Sequence, residues 1–174
     1  MSNIKKLTLA AMFLALGLVL PLLTGQIPQI GKMLCPMHFP VLLCGFFCGW
    51  QYGLIVGLIC PILRSVIFGM PIMYPTAIGM AFELMTYGFM AGFLSEKIGK
   101  NTLPKIFTTL IISMLAGRAV WGLAQIALLG IKGNHFTMNA FVAGAFVNVV
   151  PGIILQLILI PIIVRAVSRS KIDS

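Results

Sequence analysis

Three charged residues lie inside long apolar runs, where a charge is costly and normally faces a partner or a cavity: Arg64, Glu83 and Arg118. Glu83 can form an ion pair with Arg64 or with Arg118. One carboxylate neutralises one guanidinium, so one of the two arginines still needs water, a backbone carbonyl or an anionic ligand group. Arg118 is the stronger candidate for a ligand contact. Trp121 follows it by about one helical turn and Gln125 by about two, on a similar face, which makes a stripe suited to a polar ligand with a flat or apolar part. Asn148 and Gln156 add polar groups to another apolar run. Asn148 stands three residues before Pro151, whose missing N–H frees a backbone carbonyl. His38, between Met37 and Phe39, fits either a ligand contact or a helix-capping role.

The four cysteines, Cys35, Cys44, Cys48 and Cys60, crowd into one part of the chain. Cys44 and Cys48 are one helical turn apart, but apart from His38 no histidine or carboxylate is near enough in sequence to complete a tetrahedral site. No metal site and no disulfide is expected, and the thiols read as small apolar residues suited to close packing. No paired acid and base appear, so no catalytic residue is assigned.

The elements that hold these groups must be membrane helices. Of the 174 residues 60% are hydrophobic and 9% charged, too few charges to cover a soluble domain of this length. A crossing takes about 20 apolar residues, so the length accommodates six spans with short loops and no soluble domain. The expected architecture is an all-α integral membrane protein, a six-transmembrane-helix bundle in a single membrane domain over residues 1–174. The helices fall near 7–23, 39–48, 52–68, 75–94, 106–129 and 138–164. The apolar run after Lys5 and Lys6 is too long for a signal peptide and ends at Pro21 and a Thr24-Gly25-Gln26 turn, so it reads as the first span.

The net charge of +9 does not mark a nucleic-acid surface, because the basic residues sit at segment ends, against lipid headgroups. With the N-terminus inside, the cytoplasmic segments carry Lys5, Lys6, Lys97, Lys100, Lys105, Arg165, Arg169 and Lys171, and the other side only Lys32 and Lys132. The positive-inside rule thus gives an N-in/C-in topology. Gly45, Gly49, Gly53 and Gly57 recur every fourth residue, and Gly88 and Gly92 repeat the interval, which lets helices approach closely.

Three stretches carry a resemblance to a known family. Ala11-Met12-Phe13-Leu14-Ala15 matches an AxxxA motif. The run from Pro36 through His38 to Gly49, followed by Tyr52-Gly53 and Gly57, is similar to a proline-led apolar helix meeting a glycine-rich turn. Phe146-Val147-Asn148-Val149-Val150-Pro151 is similar to a helix that supplies a ligand-binding Asn, with Pro151 where that pattern tends to have a lysine. Together with size and topology, these stretches resemble the substrate-binding S components of energy-coupling factor (ECF) vitamin transporters.

The resemblance implies a high-affinity binding subunit in the bacterial cell membrane. Its partners are a transmembrane coupling subunit and two ATPases, which hydrolyse the ATP, so the chain needs no cofactor of its own. It implies docking through Ala11 and Ala15, and a pocket near the outer face lidded by the segments Thr24–Met37 and Ile131–Asn139. The ligand-contact set is then Arg118, Trp121, Gln125, Asn148, Glu83, His38 and Arg64. Pantothenate leads among the ligands, with pyridoxine-type, folate-like and corrinoid (cobalamin) molecules left open. Two other classes compete: a small channel or scaffold oligomer built on the glycine repeats, and an intramembrane thiol- or lipid-modifying enzyme using Cys35 or His38.

Overall fold

The computed structural model describes residues 2–23, 34–100, 102–131, 144 and 149–170. Among these it forms six α-helices and no strand: α1 (Asn3–Leu23), α2 (His38–Cys48), α3 (Trp50–Phe68), α4 (Ile78–Ile98), α5 (Leu103–Ile131) and α6 (Val150–Ser170). A π-helical turn, Met73–Ala77, leads into α4. Five helical stretches are long and apolar enough to cross a membrane, whereas α2 has 11 residues.

Several helices run beyond their apolar stretches. α1 begins at Asn3 and takes in Lys5 and Lys6, and α4 continues through Glu96 and Lys97. Hydrophobicity marks where lipid ends, while a helix continues until its backbone is capped. Gly99, at φ 87°, ends α4 with its N–H donated to the Ser95 carbonyl.

α4 is the central helix, packed against α2, α3 and α5, while α1 lies on α2 and α3 and α6 lies on α5 and α2. Glycines set the spacing on the α2–α3–α4 side. A Cβ on Gly45 would lie 2.6 Å from the Gly88 carbonyl oxygen, and one on Gly53 or Gly57 would run into the backbone of Gly88 or Leu84. Backbones this close gain dispersion contacts that lipid tails would otherwise supply, and packing of this kind drives helix association in a bilayer. α2 and α3 are joined by Gly49 alone, whose φ of 98° and ψ of 172° suit a residue without Cβ. Gly17 on α1 gives way to the Cys60 thiol on α3. Around these seams lies a core that includes Val41, Leu42, Phe46, Leu84, Ile106 and Leu110. Outward faces are apolar too: Leu23 is 78% exposed and Ile162 59%, as a lipid solvent requires.

Candidate functional site

The facing stripes of α4 and α5 run antiparallel and interlock residue by residue. Gly79, in the first turn of α4, leaves room for the Gln125 side chain: a Cβ there would lie 2.7 Å from Nε2 and 3.8 Å from Trp121 Cδ1. One turn on, Glu83 meets Arg118. A further turn on, the Tyr87 ring lies against Gly117, where any Cβ would overlap it. Two glycines on opposite helices thus let three polar or aromatic side chains enter one interface.

Glu83 is 2% exposed and Arg118 5%. Arg118 Nη1 donates to Glu83 Oε1 at 2.8 Å, and His38 Nε2 stands 3.3 Å from the same oxygen. His38 is the first residue of α2, itself 2% exposed, and its ring meets that of Tyr87 edge to face at 5.3 Å. Its N–H donates to the Cys35 carbonyl, which ties the start of α2 to the residue with φ 47°. The Cys35 thiol in turn lies 3.9 Å from Arg118 Nη2. Arg118 Nε and His38 Nδ1 are buried and find no hydrogen-bond partner among the described residues. An unmet buried donor costs about 1–3 kcal/mol, so the cluster holds hydrogen-bonding capacity that a ligand can satisfy.

Beside it, a cleft of about 190 Å³ lies between α5 and α6, lined by Ile111, Met114, Leu115, Arg118, Ile153 and Leu157. Its exposed wall is apolar, with Arg118 contributing its hydrocarbon stem. Polar cluster and apolar cleft therefore share one arginine.

The structure pairs Glu83 with Arg118, the arginine expected to be seeking an anion. Arg64 is served differently. Its Nη1 donates to the Leu18 carbonyl on α1, and its guanidinium lies 5.1 Å from the Phe68 ring centroid. Trp121 is half-buried and Gln125 buried, both on the Arg118 side of α5. Asn148 lies outside the described residues, as do most of the two segments expected to act as lids. Ala11 and Ala15 are exposed on α1. Among the described residues no group of three or more His, Cys, Asp or Glu side chains can hold a metal ion.

Sequence reasoning did not single out Cys35 as an arginine neighbour, nor Gly79 and Gly117 as site-forming positions. The glycines fall outside the four-residue repeats, and their signal was only their place: Gly117 directly precedes Arg118, and Gly79 stands one turn before Glu83.

No curated protein and no solved structure matches the chain. A family model, that of the ECF transporter substrate-specific component, matches residues 5–164, nearly the whole length. With its apolar helices and this match, the chain belongs to the substrate-specific components of ECF transporters, membrane subunits that bind a transported substrate and are not enzymes.

Proposed function

We propose that this chain is the high-affinity binding subunit of an ECF-type importer for a vitamin or related micronutrient, with pantothenate the leading ligand. One observation carries the reading: Arg118 and His38, from two other helices, meet one buried oxygen of Glu83, while Arg118 Nε and His38 Nδ1 find no hydrogen-bond partner among the described residues. A purely structural ion pair is best when every polar atom is satisfied. The polar cluster would take the ligand's hydrogen-bonding end, with Trp121, Gln125 and Asn148 around it, and the α5–α6 cleft its apolar part. Pantothenate offers a carboxylate, an amide and hydroxyls beside a dimethyl group. A pyridoxine-type ring is the second reading, favoured by the aromatic faces of Trp121 and Tyr87 within the same interface.

In this reading the chain crosses the bacterial cell membrane six times, with both termini in the cytoplasm. It docks through Ala11 and Ala15 on a coupling subunit that carries two ATPases, and it hydrolyses no ATP itself.

The test is purification from native membranes. An affinity-tagged chain is expected to bring an ATPase complex with it and to release, on denaturation, a small molecule identifiable by mass spectrometry. Cysteines engineered at Gln29 and Asn101, in a background lacking the native four, should label from outside and inside respectively. A chain purified without ATPases, or the reverse labelling, would overturn the assignment or the topology.

A further inference from the structure

Resting on the reading of this cluster as the ligand site, the geometry points to one subsite within it: the Cys35 thiol holds the place of a ligand carboxylate on Arg118. A guanidinium offers two kinds of edge. Glu83 takes Nη1, at 2.8 Å. The remaining side-on edge consists of Nε–H and one Nη2–H, parallel and spaced to match the two oxygens of a carboxylate. On that edge Nε has no partner among the described residues, and Nη2 meets the Cys35 sulfur at 3.9 Å. A neutral thiol is a weak acceptor, and at this distance it gives little of what an oxygen would.

The backbone points to the same place. Cys35 is the one non-glycine residue with positive φ among the described residues, at 47°. A left-handed cysteine persists only where its surroundings hold it, and here its carbonyl accepts the His38 N–H while its side chain is directed onto Arg118. Residue 35 is buried, at 7% exposure. A ligand that reaches the fork must therefore displace the thiol, so the size and charge of the residue 35 side chain decide which ligands enter. The occupant is a carboxylate that leaves the Glu83–Arg118 bond in place.

The experiment compares Cys35→Asp with Cys35→Asn. Both residues tolerate a left-handed backbone, and both reach one bond further toward the arginine, but only aspartate brings a carboxylate. In ligand-free protein, Cys35→Asp is expected to melt above Cys35→Asn, with the advantage gone when Arg118 is also changed to Gln. In titrations the probes are pantothenate and panthenol, its alcohol analogue. Pantothenate is expected to bind wild type at least about 10-fold more tightly than panthenol, and to be lost from Cys35→Asp, whose own carboxylate fills the fork. Cys35→Asp melting at or below Cys35→Asn, or an advantage that survives Arg118→Gln, would overturn the subsite. Failure of wild type to bind pantothenate would count against that vitamin alone, because the melting comparison decides the subsite without it.

Discussion

Gly117 presents no side chain where the ring of Tyr87 lies against α5, and the next residue is Arg118. The absence of one methyl group thus sets the distance between two helices at the point where the buried ion pair crosses from one to the other. Gly117→Ala places a Cβ inside the Tyr87 ring position, so Tyr87 or the helix must move. Overpacking of this kind costs about 1–3 kcal/mol. Expected is a lowered melting temperature in detergent together with weakened ligand binding. Adding Tyr87→Leu should recover part of the stability. No recovery would place the effect of Gly117 elsewhere.

The Glu83–Arg118 pair predicts strong non-additivity. Removing one member leaves the other charge buried and unpaired, at a cost of about 3–5 kcal/mol. Glu83→Gln and Arg118→Met should each destabilise strongly, while the double variant should cost clearly less than their sum, as read by denaturant unfolding. Additive costs would mean that the pair is not coupled. Ligand affinity separates the roles of the arginine: Arg118→Met in a structural role lowers the apo melting temperature alone, whereas in a ligand-binding role it lowers affinity as well.

Arg64 should behave oppositely. Its donor goes to the Leu18 carbonyl and its guanidinium faces Phe68, so it fastens α1 to α3. Arg64→Met loses a charge-assisted hydrogen bond of about 1.5–3 kcal/mol and should lower stability while leaving the affinity for any bound ligand within a factor of about 3. A larger affinity loss would bring Arg64 into the site.

The sequence showed that three charges lie at membrane depth and that one carboxylate must choose between two arginines. It did not show the choice. Pairing depends on which helices are neighbours and how each is rotated: Arg64 faces α1, whereas Arg118 faces α4. The glycine repeats at Gly45, Gly53 and Gly88 were readable as close packing because they are periodic. Gly79 and Gly117 were not, since a single glycine in an apolar helix has no period. Cys35 was hidden for a chemical reason, since a thiol is a weak acceptor and only its left-handed backbone and its arginine neighbour distinguish it.

Ala11 and Ala15 face outward on α1 amid exposed Leu7, Met12 and Val19. Small residues one turn apart on an exposed face permit close backbone approach by another helix. Changing both to Leu or Trp is expected to abolish uptake in cells while the isolated protein binds ligand as before. Equal loss of binding would assign the alanines to the fold of this chain rather than to a partner.

The shortness of α2 has an electrical consequence. Its 11 residues rise about 16 Å, roughly half of a ~30 Å hydrocarbon layer, between the Gly49 joint and His38. Lys100, whose Nζ donates to the Phe46 carbonyl at 2.7 Å, places a cation at the Gly49 end. With the Gly49 end at the membrane boundary, as the proposed topology has it, His38, Glu83 and Arg118 lie about midway through the membrane dielectric. On the proposed topology, a ligand that carries a negative charge from outside to that depth traverses part of the transmembrane voltage. At about 2.3 kcal/mol per charge per 100 mV for a full crossing, half the depth amounts to about 1 kcal/mol. An inside-negative potential opposes entry of an anion by that much and favours its release back outward, so affinity measured in detergent should exceed affinity in energised vesicles.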